Sequence, residues 1–288
     1  MGAADTVPGV SGGTVAFVCG IYPRLIDALR DGARALGHVA KGRFRQGWTE
    51  LRGVDWALLV PLLAGIIVAI FSLASVMERG LEEHPVRLSG LFLGLVVGSV
   101  VVSVRQIRRP DRLGWLLVVA VALALFLVLG LRSETTGETG DPTSVPTWAY
   151  PAAAAVAICA MILPGISGAF ILVMLGMYGP VLGAVNERDL LRLGIFAIGA
   201  VLGLGAFSRL LGALMDRYHD RVVAVMIGLM LGSVRVLWPW PGGTDTTTLA
   251  VPRDDVVVPV VLGVIGFVAV VVLARIANLR EEPVPHPG

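Results

Sequence analysis

Unbroken apolar runs, parted by short charged or turn-forming stretches, dominate this chain. Residues 56–76, 88–104, 115–131, 193–215, 222–237 and 256–274 are such runs. None alternates as a half-buried strand would, and each comes near the roughly 20 residues with which a helix crosses 30 Å of hydrocarbon. The pattern predicts six transmembrane helices. Two other apolar regions are broken. Residues 15–21 follow Pro8 and several glycines and are too short to span, while 148–163 and 170–185 flank a second break at Pro164 and Gly165. Proline removes a backbone donor and glycine weakens a helix, so each region predicts a re-entrant hairpin of two half-helices meeting at a polar tip.

Composition fixes the solvent. The chain is 56% hydrophobic and 15% charged, with mean hydropathy +0.81, which is more apolar surface than one soluble core uses. It reads as an integral membrane protein, and its 36 glycines suit close helix approach. A net charge of +2 gives no basic signature for nucleic acid. Lys41 is the only lysine among 23 basic residues, the usage of a GC-rich, bacterial-looking genome. Before Pro8 there is no signal-peptide pattern, and the fit of residues 1–6 to a myristoylation motif is read as coincidence.

Excess Arg and Lys marks the cytoplasmic side. Residues 23–55 carry Arg24, Arg30, Arg34, Lys41, Arg43, Arg45 and Arg52, and 105–113 carry Arg105, Arg108, Arg109 and Arg112 against Asp111. Both should lie inside. Residues 77–87, with Glu78, Glu82 and Glu83, and 132–147, with Glu134, Glu138 and Asp141, should lie outside; Arg275 and Arg280 place the C-terminus inside.

The chain also repeats itself. Pro8, Gly9, Ser11, Gly12, Gly20 and Tyr22 recur as Pro164, Gly165, Ser167, Gly168, Gly176 and Tyr178, a shift of 156 residues (Pro8 to Pro164). Asp55, Gly65, Arg87, Gly94, Leu95, Gly98, Ser99 and Val100 recur as Asp189, Gly199, Arg221, Gly228, Leu229, Gly232, Ser233 and Val234, a shift of 134 (Gly98 to Gly232). The second copy has lost loop between the two blocks. One hairpin adds no net crossing and three spans add an odd number, so the second copy should be inverted relative to the first. The expected fold is an all-α polytopic membrane protein of two inverted-topology repeats, each a re-entrant broken-helix hairpin plus three transmembrane helices. Residues 1–131 form repeat 1, 132–147 an extracytoplasmic linker and 148–288 repeat 2, within one integrated membrane domain. Seven residues precede Pro8 where about fifteen apolar ones precede Pro164, so the entering arm of the first hairpin is expected upstream. Inverted repeats around broken helices mark secondary transporters, with the site where the repeats meet.

A Pro-Gly-x-Ser-Gly turn that opens a helix presents free N–H groups, a hydroxyl and the positive end of the helix dipole, which suits an anion. The candidate binding residues are Gly9, Ser11, Gly12, Gly13 and Thr14 in the first tip and Gly165, Ser167 and Gly168 in the second. Arg87 and Arg221, at equivalent span starts, are candidates for guiding the anion from opposite faces, against a plain role as interfacial snorkelling residues. Asp5 is assigned a structural hydrogen-bonding role first and proton coupling second. Glycines serving only to pack the tips is the competing reading. Gly9-Val10-Ser11-Gly12-Gly13 fits the nucleophile elbow, but the second copy breaks that pattern at Ala169, and His38, His84, His219 and His286 all fall in expected loops or the tail. A hydrolase is disfavoured, a lipid phosphatase lacks its basic cluster, and the chain is not expected to be an enzyme. Cys19 and Cys159 lie far apart in apolar segments without ligand spacing, so no metal site, cofactor or disulfide is expected.

The segment Ala4-Asp5-Thr6-Val7-Pro8-Gly9-Val10-Ser11-Gly12-Gly13-Thr14, the later Gly20-Ile21-Tyr22, the second Leu163-Pro164-Gly165-Ile166-Ser167-Gly168 and the Gly-Leu-x-x-Gly-Ser pairs ending at Ser99 and Ser233 resemble the bacterial polyprenyl-phosphate (undecaprenyl-phosphate) transporter family, formerly domain of unknown function family 368. The resemblance covers nearly the whole chain. It implies a flippase of the cytoplasmic membrane that returns undecaprenyl phosphate, the carrier lipid of peptidoglycan and other envelope polymers, for reuse. Its partners would be that lipid and membrane lipids. An anion channel or small-anion carrier is the alternative; a non-transporting scaffold would not need two polar tips inside the membrane. Cysteine accessibility labelling tests the topology: labels should reach 77–87 and 132–147 from outside intact cells, and labelling of 23–55 from outside would refute it.

Overall fold

The computed structural model describes residues 12–130, 141–243, 249–252 and 256–280, and their regular structure is helical throughout. In chain order the helices are α1 (Gly12–Val18), α2 (Tyr22–Ala40), α3 (Phe44–Gly53), α4 (Trp56–Glu83), α5 (Pro85–Val104), α6 (Arg112–Gly130), α7 (Ala149–Ile162), α8 (Gly168–Met174), α9 (Tyr178–Asn186), α10 (Leu190–Ser233) and α11 (Val257–Arg280). Among the described residues α5, α6, α10 and α11 are long and apolar enough to cross a membrane, and a fifth span results if α3 and the adjoining Trp56–Ala69, bent by 76°, count as one. This is a multi-pass membrane protein.

Two sequence expectations change form. Residues 23–55, read as a basic loop, fold into α2 and α3. Their charges are interleaved with Leu25, Ile26, Ala28 and Ala35, which are buried on one face of α2, so helical periodicity was present under the charge. The expected turn between residues 215 and 222 is made at a single residue: α10 covers 44 residues as two helices joined at Tyr218, whose backbone is non-helical. Asp216, Arg217, His219 and Asp220 include no Gly or Pro to stop a helix, so it resumes at once.

Duplicated residues start duplicated helices. Asp55 caps α4 and Asp189 caps α10, the carboxylates accepting from the N–H of Leu58 (3.1 Å) and of Arg192 (3.0 Å). Each satisfies a donor the helix cannot, and complements the dipole.

The spans then pair across the repeats. On α5, Gly90, Gly94 and Gly98 face α11 so closely that an added Cβ would lie 2.4 Å from the Pro259 carbonyl, 1.8 Å from that of Gly263 and 3.1 Å from that of Phe267. Each step of four on one helix meets a step of four on the other, so the two run parallel. On the second half of α10, Gly228 and Gly232 meet α6 in the same way, 2.8 Å from the Val118 carbonyl and 2.9 Å from that of Ala122. The helices carrying the repeated Gly-x-x-x-Gly thus make equivalent contacts, each with the last span of the other half. The loop after α5 is tied to the start of that same α10 segment, where the Asp220 carboxylate accepts from the N–H of Arg108 (3.1 Å) and Arg109 (2.9 Å). The start of α5 lies beyond the segment's other end, beside Gly243, whose Cβ would meet Ser89 Oγ at 2.5 Å. Residues 219–233 therefore run opposite to α5, their counterpart in the repeat.

Gly94→Ala should separate α5 from α11 and cost about 1–3 kcal/mol, the range for overpacking. Gly65→Ala, with nothing within 4 Å of the new methyl, should be neutral or stabilising by up to about 1 kcal/mol through helix propensity. Thermal unfolding of both variants in detergent checks the contrast.

Candidate functional site at the helix breaks

The second tip forms where α7 ends at Ile162. Leu163 is extended, Pro164 is buried, and Gly165 takes φ +88°, a left-handed conformation that suits glycine. There is no room for a side chain either, since a Cβ on Gly165 would sit 2.8 Å from the Met230 nitrogen. Ser167, in extended conformation, is the N-cap of α8; its hydroxyl makes no capping bond and its carbonyl accepts from the Ile171 N–H at 3.2 Å. Gly168 opens α8 against Met161 and the Ala157 carbonyl.

The first tip meets it. Gly12, Gly13 and Thr14 open α1 and are buried. A Cβ on Gly13 would lie 2.5 Å from the Ile162 carbonyl oxygen, so the first turn of α1 rests on the last turn of α7. That carbonyl accepts a hydrogen bond from Tyr22 Oη at 3.0 Å. Tyr22 is 1% exposed and packs edge-on against Phe17, with ring centroids 5.5 Å apart. At the other end of α1, Gln106 Nε2 donates to the Phe17 carbonyl at 3.1 Å. The start of α1 and the second break therefore lie beside the main core of the molecule, among Phe17, Tyr22, Ile162, Ile227 and Met230.

Of the sequence-predicted site residues, Gly12, Gly13, Thr14, Gly165, Ser167 and Gly168 thus belong to this centre. Gly9, Ser11 and Asp5 lie outside the described residues. Arg87 and Arg221 are not in it. Arg221 is at the break in α10, where its guanidinium donates to both carboxylate oxygens of Asp111 at 2.7 and 2.5 Å. The guanidinium, and next the Gly114 N–H, hold the Asp111 carboxyl below the usual carboxylate range. Arg87 is at the opposite end of the bundle, lining an open cavity of about 630 Å³ with Glu83, His84, Trp240 and Pro241. The sequence reading assigned no role to Tyr22 or Gln106. The repeated Gly-x-Tyr was a usable signal for the first, while a glutamine at the end of an apolar run carries none.

Besides the hydroxyls of Tyr22 and Tyr150, the buried polar side chains among the described residues are Thr14 and serines. Ser99 and Ser233, paired in the repeat, both bond the backbone of their own helix, to Leu95 and Met230. The described residues hold no cluster of His, Cys, Asp and Glu that could bind a metal. Among the described residues the centre offers backbone N–H groups, small hydroxyls and helix starts, groups of the kind that suit an anion.

Fold and centre together define a multi-pass membrane protein in which the start of α1 rests against the break between α7 and α8 inside the bundle. The chain belongs to the VCA0040-like, undecaprenyl phosphate translocase-like family, whose sequence model covers residues 1–252. It is 42% identical over 243 residues to the polyprenyl-phosphate transporter of Vibrio cholerae serotype O1, covering 83% of this chain and 75% of that protein. It is 27% identical over 295 residues to the polyprenyl-phosphate transporter of Staphylococcus aureus, covering 98% of this chain and 95% of that one. No solved structure matches the chain. The family is one of transporters and not of enzymes.

Tyr22→Phe removes the donor to the Ile162 carbonyl and leaves that group buried and unpaired, so it should destabilise the protein by about 1–3 kcal/mol. Thermal unfolding measures this, and an unchanged midpoint would show that the bond does not hold the tips together.

Proposed function

We propose that the protein carries undecaprenyl phosphate across the bacterial cytoplasmic membrane for reuse in envelope synthesis, with the phosphate bound between the two tips. The observation that carries this reading is the contact of Gly13 with Ile162, which sets the start of α1 against the second break. A phosphate monoester bears between one and two negative charges at neutral pH, and near the midplane it must exchange water for fixed donors. Two helix starts contribute at most roughly half a charge each. The N–H groups around Gly12, Gly13 and Gly168 are the donors, with the hydroxyls of Ser11, Thr14 and Ser167 completing the shell and Gly9 and Gly165 allowing the turns. Arg87 and Arg221, at opposite ends of the bundle, receive or release the phosphate.

The opposed directions of α5 and 219–233, and the matching pairs of α5 with α11 and of 219–233 with α6, support two inverted repeats exchanging their last spans. In this reading α10 supplies two crossings, 190–217 and 219–233, the basic segments 23–55 and 105–113 face the cytoplasm, and so does the C-terminus.

Reconstituted into liposomes, the protein should translocate polyprenyl phosphate. Ser11→Ala and Ser167→Ala should each weaken its binding by about 0.5–3 kcal/mol, as loss of a hydrogen bond to a charged group does. Gly12→Val and Gly168→Val should do worse by blocking backbone approach, and Arg87→Gln or Arg221→Gln should slow transport without unfolding the protein. If all four tip variants fold and bind with unchanged affinity, the site is elsewhere. Inorganic anion flux without lipid movement would make the protein a channel instead.

A further inference from the structure

We propose that a basic cavity between α2 and α10, remote from the tips in sequence and composition, binds the phosphate of an anionic phospholipid headgroup. Arg34, Gly37, His38, Lys41 and Arg209 line an open cavity of about 390 Å³. Gly42, at φ +73°, turns the chain so that its N–H reaches the Val39 carbonyl and the Lys41 and Arg43 N–H groups reach that of His38, which folds Lys41 back beside the end of α2. Gly37 admits Arg209, because a Cβ there would already be 3.2 Å from Nη2. That same Nη2 donates to the Ala33 carbonyl at 2.8 Å, which fixes the guanidinium at the cavity wall.

The charge on this wall is not balanced. Asp31 pairs with Arg34 at 2.9 Å. One turn earlier Asp27 and Asp216 both bond Arg30, at 2.7 and 3.1 Å. Lys41 and Arg209 remain as cations facing the cavity with His38, whose Nδ1 is enclosed and has no hydrogen-bond partner. An anionic acceptor is what this set lacks.

The surroundings say where that acceptor comes from. α3 meets α4 at 76°, so with α4 crossing the bilayer α3 lies near its plane. Leu36 and Val39 on α2, Phe44 and Trp48 on α3 and Trp56 at the start of α4 are exposed apolar residues. Trp48 also stacks under the Arg52 guanidinium, 5.2 Å from its centroid. An amphipathic pair of this kind, with aromatics on one side and cations on the other, sits at headgroup depth. A basic pocket between helices at that depth is matched by an anionic lipid headgroup, whose acyl chains would pass along the apolar residues beside it. The inference does not depend on which substrate the tips carry.

The test compares the purified full chain in phosphatidylcholine nanodiscs with and without phosphatidylglycerol, reading the melting temperature and the lipid retained in native mass spectrometry. Phosphatidylglycerol should raise the melting temperature of the wild type and stay bound. Lys41→Gln should weaken retention about fivefold and Lys41→Gln with Arg209→Gln by about fivefold more, in line with the share of one cation at an anionic surface; Lys41→Arg should keep it. Unchanged melting in pure phosphatidylcholine excludes misfolding as the cause. Equal retention in the double variant and the wild type overturns the proposal. So does an equal effect of inorganic phosphate, which would make this a site for a soluble anion, or retention there of polyprenyl phosphate but not of phosphatidylglycerol, which would make it part of the transport path. Liposome transport by the double variant reads the proposed function separately, since the tips are untouched.

Discussion

Helices in lipid gain little by hiding apolar surface from one another, so their association rests on how closely backbones approach. In this protein that constraint falls on a few glycines. Gly90, Gly94 and Gly98 bring α5 onto α11, and Gly228 and Gly232 bring the second half of α10 onto α6. A third set, Gly199 and Gly203, brings the first half of α10 onto α7, at Pro151 and Ala155. Because the first two sets belong to repeated segments, one packing solution is used twice, and each half of the chain is completed by a helix from the other.

The broken helices follow from the same scarcity of water. Any backbone group freed by a break at membrane depth must find a partner in the protein. Tyr22 supplies the Ile162 carbonyl and Gln106 the Phe17 carbonyl, and both donors come from segments distant in sequence. The cost of an unpaired buried carbonyl, about 1–3 kcal/mol, exceeds what a surface ion pair returns, about 0–1 kcal/mol. Among the described residues the tips are thus joined by a neutral hydrogen bond and backbone contact, while the ion pairs lie away from them.

Much of this was legible because membrane helices write their packing in simple terms. The apolar lengths marked four of the six expected spans as single helices, the abundance of glycine pointed to close helix approach, and Pro164-Gly165 marked the break between α7 and α8, while the first Pro-Gly-x-Ser-Gly lies outside the described residues. Asp55 and Asp189 were visible as repeats, though their role as caps needed the backbone. The exchange of α6 and α11 between halves was not legible. Those two helices are the ones packed against, at Val118 and Ala122 on one and Gly263 and Phe267 on the other, and each contact joins segments far apart in sequence, which spacing along the chain does not reveal. The α2–α3 pair was hidden because its charge density resembled a loop, and the link of Asp111 to Arg221 because the partners stand 110 residues apart.

The halves also differ, and the difference bears on how such a molecule would work. Pro151 covers Gly199, whereas its counterpart Gly65 has nothing within 4 Å. At one end of the bundle Arg221 meets Asp111 in a two-point bond, and at the other Arg87 lines an open cavity. In the proposed cycle the same lipid phosphate would meet each arginine in turn, so neither end can be closed by an interaction too strong to reverse. The Asp111–Arg221 pair meets that requirement. Both side chains are more than a third exposed, and water screens an exposed pair so that it holds only weakly. A substrate bearing more than one negative charge could compete for the guanidinium at little cost, whereas the glycine contacts that hold α5, α6, α10 and α11 together have no such exchange partner. The division of labour is then physical: backbone packing that does not yield, and a weak ion pair at the surface that does.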